Sequence, residues 1–127
     1  MTQHLPRQAT VSVLVVKGLQ VDEPDWCAGH SDGRAQFKPD ITHNGPETSA
    51  TFHTPDGAYT YLRAWITQAP YGEAHPEPLP LLAVEIDGDM PAMTPEAVRA
   101  FTTTTRERLA ELDALADELA RLRGEDR

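Results

Sequence analysis

A chain of 127 residues is long enough for one domain with a modest core, and its single cysteine excludes an intramolecular disulfide framework. Its net charge of −9 and pI near 4.8 repel phosphate backbones and anionic lipid, which disfavours nucleic-acid and membrane-surface partners. No apolar run approaches the length of a bilayer span, so the composition is that of a soluble globular protein rich in loop.

The segment from Met1 to Arg7 lacks the apolar stretch of a secretory signal, and a cytoplasmic location is expected. Residues 9–17 are rich in β-branched side chains and predict a strand. Residues 18–46, punctuated by Gly18, Pro24, Gly29, Gly33, Pro39, Gly45 and Pro46, read as one long irregular loop. Loops of that length inside a small domain carry function or need an anchor.

From Glu47 to Thr54 apolar and polar residues alternate. Pro55-Asp56-Gly57 then supplies a tight turn, and a second strand runs from Ala58 to about Thr67, making a β-hairpin. After a Pro/Gly-rich loop over residues 70–80, a further strand is expected from Leu81 to Asp87, ending at Gly88. Thr94-Pro95-Glu96 combines an N-cap hydroxyl, proline at the first helical position and an acid in the first turn. The helix it opens should run from about 94 to 123 and stop near Gly124, with a bend or thinning at the β-branched run Thr102–Thr105. The expected fold is therefore α+β: one domain over residues 1–127, a small antiparallel sheet of about four strands, the 18–46 loop and one long C-terminal helix.

Three groups of residues suggest chemistry. Cys27 and His30, at C-x-x-H spacing in the loop, can grip one metal ion from a single turn, and His43 offers a third donor. Zinc is the usual occupant of such mixed S/N sites, and Glu23, Asp22, Asp25 or His53 could supply a fourth ligand. The bland alternative is a buried thiol packed beside Trp26 with surface histidines nearby. On the Ala58–Thr67 strand, Tyr59, Tyr61, Arg63 and Trp65 fall on one face by simple alternation. Aromatics interleaved with arginine form stacking platforms for single-stranded nucleic acid, although the acidic chain argues instead for ordinary packing there. On the helix, Leu109, Leu112 and Leu119 follow a spacing suited either to a short seam for a protein partner or homodimer, or to packing on the chain's own sheet. The acids Glu85, Asp87 and Asp89 read as a solvated strand end rather than a catalytic pair. No phosphate-binding glycine loop is present.

The run Glu23-Pro24-Asp25-Trp26-Cys27 with His30, then His43-x-Gly45, a hairpin, a strand and a helix opened by Thr94-Pro95-Glu96, resembles an uncharacterised family of small actinobacterial proteins. Their matching segment reads Cys-Pro-x-Trp-Cys followed by a histidine. The resemblance implies this fold outline and a metal-binding loop, and it implies no activity. Glu23 stands where the family's first cysteine falls, so either Glu23 is a carboxylate ligand here or this copy keeps the loop without the metal. The function expected is a non-enzymatic cytoplasmic interaction or regulatory module with a structural zinc site. The alternatives are a metal-dependent enzyme with an open Cys/His/His site, and a nucleic-acid-binding module using the aromatic face.

Overall fold

The computed structural model describes residues 6–13, 17–30, 37–73, 77–86 and 89–125. By internal contacts the chain forms two compact units, Met1–Pro46 with Ile66–Leu81, and Glu47–Trp65 with Leu82–Arg127. Strands β1 (Arg7–Val13) and β2 (Lys17–Glu23) make a two-stranded sheet. In a second sheet, β3 (His43–Asn44), β4 (Thr48–Thr54) and β6 (Leu81–Glu85) each pair with β5 (Gly57–Gln68). The helix α1 covers Pro95–Leu122. The fold is α+β, with its strands divided between two sheets where the sequence suggested a single sheet of about four. No helix among the described residues is long and apolar enough to cross a membrane.

In the first unit, β1 and β2 run antiparallel with Arg7 opposite Glu23, Ala9 opposite Val21 and Val11 opposite Leu19. Because side chains alternate along a strand, these six residues share one face. That face is buried at Val11, Val21 and Glu23 and open at Arg7: Val11 and Val21 pack with Ile41, and Leu19 and Tyr71 close over them. Strand β2 corrects the expectation of an unbroken loop over 18–46. Leu19 and Val21 alternate with Gln20 and Asp22, and so short a pattern becomes a strand once β1 offers an edge to pair with. Residues 14–16, which the sequence assigned to the first strand, lie outside the described residues.

In the second unit the Pro55-Asp56-Gly57 turn closes the β4–β5 hairpin as expected, with Thr54 opposite Gly57. The ladder is interrupted further along, because Ala50 faces Tyr61 but Thr48 faces Ala64. The extra residue in β5 is a β-bulge, and Leu62 adopts the left-handed φ of +50° there. Ala50, Phe52 and Tyr61 form the core, covered by Tyr59, Leu62, Met90, Met93 and Phe101. The Phe101 ring stacks on Tyr61 with centroids 5.3 Å apart and meets Phe52 edge-on at 5.6 Å.

Helix α1 begins as its sequence requires, with the Ala97 N–H donating to Thr94 Oγ1 at 3.2 Å. The threonine run leaves it unbroken. Thr102 and Thr105 satisfy their hydroxyls by donating back to the carbonyls of Val98 and Phe101, at 2.8 and 2.6 Å. Tyr61 OH adds a bond to Thr105 Oγ1 at 2.7 Å. The helix stops at Gly124, which takes the positive φ of 73° common after a helix end.

Arg108, buried to 2% exposure, projects from α1 onto the bulge. Its Nε and Nη2 both donate to the Leu62 carbonyl, at 3.0 and 2.8 Å, and Nη2 also reaches Thr48 Oγ1 at 3.0 Å. The bulge thus exposes a carbonyl that the arginine satisfies from the helix. Arg108→Met should lower unfolding stability by about 2 kcal/mol, since it leaves that carbonyl buried and unpaired. Urea denaturation checks this, and a midpoint equal to wild type would show that the bulge does not depend on Arg108.

Candidate metal centre

The site grows out of the end of β2. Glu23 follows Val21 on the buried face, so the strand's alternation carries a carboxylate inward; Glu23 is 7% exposed. The chain then turns tightly, with the Cys27 N–H donating to the Pro24 carbonyl at 3.0 Å. This brings the Cys27 thiol back beside Glu23. Gly29 has open space around it but a φ of +105°, so glycine is required there by conformation. Its N–H donates to Cys27 Sγ at 3.4 Å, and the reversal returns His30 to the same place.

His43 enters from β3, opposite Gln68. The turn is seated on β3 through the Ala28 N–H, which donates to Asn44 O at 2.8 Å, while the Gly45 N–H donates to Ile66 O at 2.7 Å. The approach is close: a Cβ on Gly45 would lie 3.1 Å from the Trp26 carbonyl oxygen. Trp26 itself meets the His43 ring edge-on, with centroids 6.5 Å apart.

The ligand atoms of Cys27, His30 and His43 all lie within 4.8 Å of one another, and among the described residues this is the cluster able to hold a metal ion. Cys27 Sγ is 3.8 Å from His30 Nε2, and His30 Nε2 is 3.3 Å from His43 Nδ1. Around a tetrahedral zinc, two nitrogen donors lie about 3.3 Å apart, and a nitrogen and a sulfur about 3.6 Å apart. These two separations, which are also hydrogen-bond contacts, lie near those values, and the Cys27–His43 pair lies within 4.8 Å. Glu23 stands beside this compact set, with Oε1 4.0 Å from His30 Nε2. That oxygen is buried and has no hydrogen-bond partner.

Burial shapes the protonation of the site. Burial pushes the Cys27 thiol above its ordinary pKa; the Gly29 N–H opposes the rise and the adjoining Glu23 carboxylate adds to it. Burial lowers His43, and the charge of His30 lowers it further. Without a cation the site therefore prefers a thiol and a neutral imidazole. A divalent ion would favour the thiolate, bind the neutral imidazoles and satisfy the stranded carboxylate oxygen.

The other residues that could supply a fourth ligand lie elsewhere. Asp22 is exposed beside Gln8, with 3.5 Å between its Oδ1 and Gln8 Nε2. Asp25 is exposed in the turn, and His53 is exposed on β4 opposite Ala58. The expected row of Tyr59, Tyr61, Arg63 and Trp65 is broken by the bulge at Leu62, which corrects the reading by simple alternation. Tyr61 is 4% exposed with its ring stacked on Phe101, and Tyr59 packs on Phe52. Arg63 lies 3.8 Å from Glu47 and 3.6 Å from Glu85, while Trp65 is half-buried. On α1, Leu109 is exposed, and Leu112 and Leu119 are half-buried. Asp87 lies outside the described residues. Two polar residues went unnoticed in the sequence, Arg7 and Arg108. The second was signalled by its place among the inward positions Phe101, Thr105 and Leu112, whereas Arg7 matters only once the β1–β2 register is known.

These features define an α+β protein with a buried cysteine–histidine cluster fit for a metal ion. The chain belongs to the DUF6907 family, a domain of unknown function whose model matches residues 4–121. Neither the curated proteins nor the solved structures contain a match to it.

The seating of the turn on β3 can be tested at its tightest point. Gly45→Ala forces the Trp26 carbonyl to give way and should cost about 1 kcal/mol of stability. An unchanged urea midpoint would show that the turn is not held against β3.

Proposed function

We propose that this protein is a non-enzymatic interaction or regulatory module of the cytoplasm, stapled by a structural zinc ion bound to Cys27, His30, His43 and Glu23. The observation that carries the zinc part of this reading is the Glu23 Oε1 atom, buried, without a hydrogen bond and 4.0 Å from His30 Nε2. An orphaned buried carboxylate oxygen costs about 1–3 kcal/mol, and beside three good ligand atoms a metal ion is the natural means of satisfying it. The size of the core supports the same conclusion. Among the described residues the buried apolar cluster of the first unit is Val11, Val21 and Ile41, and small cores of this kind commonly rely on a metal or another cross-link. A protein partner or a second copy would bind through α1, where Leu109 is exposed.

A metal-dependent enzyme is the second reading, favoured by the position of Glu23 outside the compact set of three ligand atoms. There Cys27, His30 and His43 would hold the ion, its remaining position would accept a water of lowered pKa, and Glu23 would serve as base. Cobalt substitution separates the two. Closed coordination that changes in Glu23→Gln supports the structural site, and an exchangeable water ligand supports the enzyme.

Metal analysis of protein purified without a histidine tag tests the centre itself. One zinc per chain is expected, lost in Cys27→Ser. Chelator should lower the melting temperature of the wild type by about 10 °C if zinc is bound well above its dissociation constant. Metal-free wild type whose melting temperature ignores both zinc and chelator would overturn the proposal.

A further inference from the structure

We infer that Arg7 is the positioning residue of the metal centre, dividing the two oxygens of Glu23 between itself and the ion. This inference rests on the zinc reading above. Arg7 faces Glu23 across the β1–β2 ladder, so the register alone sets a guanidinium beside the carboxylate. Its Nη2 donates to the Cys27 carbonyl at 2.7 Å and to the Pro24 carbonyl at 3.0 Å, and its Nε lies 3.6 Å from Glu23 Oε2. One side chain thus ties together Glu23, Pro24 and Cys27, the two ends and the corner of the turn that presents the thiol.

The two carboxylate oxygens are treated differently. Oε2 is next to Arg7, whereas Oε1 has no hydrogen bond and is the oxygen turned toward His30. Held this way, Glu23 keeps one oxygen for the ion and cannot rotate outward without leaving the guanidinium. Metal-binding carboxylates are commonly oriented by such outer partners, whose loss weakens metal binding about 10–100-fold. Arginine suits the task better than lysine, because its planar fork serves carbonyls and a carboxylate at once while an ammonium offers a single point of charge. Arg7 reaches in from the surface: its side chain is 48% exposed and that of Glu23 10%.

The test is zinc affinity by chelator competition, with cobalt absorption spectra, for wild type, Arg7→Ala, Arg7→Lys, Glu23→Gln and the neighbouring control Gln8→Ala. Arg7→Ala should bind zinc about 10–100-fold more weakly, and its cobalt spectrum should move toward that of Glu23→Gln. Gln8→Ala should match wild type in both measurements, and Arg7→Lys should fall between. Melting of the metal-free proteins separates general destabilisation from a change at the centre, since general destabilisation leaves the cobalt spectrum unmoved. If Arg7→Ala fails to fold, Arg7→Lys carries the test. Zinc affinity and a cobalt spectrum equal to wild type in the folded Arg7 variant overturn the inference while leaving the zinc site standing. Wild type that binds neither ion overturns the zinc reading itself, and this inference falls with it.

Discussion

An antiparallel strand has only two faces, and the register between β1 and β2 puts Glu23 on the buried one. A carboxylate carried into the interior by strand geometry must find a partner or remain a standing cost. Several features of the first unit converge on it. Arg7 approaches one oxygen from across the ladder, the turn after Pro24 brings the thiol alongside, and the reversal at Gly29 returns His30. His43 comes from β3, which a backbone hydrogen bond from Ala28 to Asn44 fixes against the turn.

The second unit meets a related problem with a different device. Its bulge frees the Leu62 carbonyl, and Arg108 fills the gap from the helix. In both units, then, a polar group is turned inward by strand geometry and approached by an arginine from another element, Arg7 at one Glu23 oxygen and Arg108 at the Leu62 carbonyl. The apolar clusters around them are small: Val11, Val21 and Ile41 in one, Ala50, Phe52 and Tyr61 in the other. With so little apolar burial, satisfied polar contacts carry a larger share of specificity than they would in a bigger core.

The contrast between Tyr61 and Leu109 shows how the same side-chain chemistry divides into core and surface. Tyr61 lies two residues from Tyr59 and looks, in an isolated strand, like part of an open aromatic row. Packed against Phe52 and Phe101, with its hydroxyl bonded to Thr105, it is a core residue with a polar tip satisfied by the helix. Leu109 follows Arg108 on α1, and one step around the helix is enough to leave it 51% exposed while Arg108 is buried. An apolar residue outside and a charged one inside is the reverse of the usual pattern, and the buried guanidinium is met by the bulge's carbonyl and by the Glu111 carboxylate, to which its Nη1 donates at 3.0 Å.

Much of this protein is legible where the physics is local. Pro55-Asp56-Gly57 makes its turn, Thr94-Pro95 starts its helix and Gly124 ends it, because each depends on backbone preferences within a few residues. The C-x-x-H spacing of Cys27 and His30 is local in the same sense, and the sequence could name them and His43 as donors. It could not tell from spacing alone that Glu23 is buried beside them while Asp22, Asp25 and His53 are exposed, nor see that the bulge at Leu62 breaks the Tyr59–Trp65 row. Those choices belong to the tertiary structure. Which face of a strand turns inward, and where a ladder slips by one residue, are properties of a strand together with its partner, and no strand carries them alone.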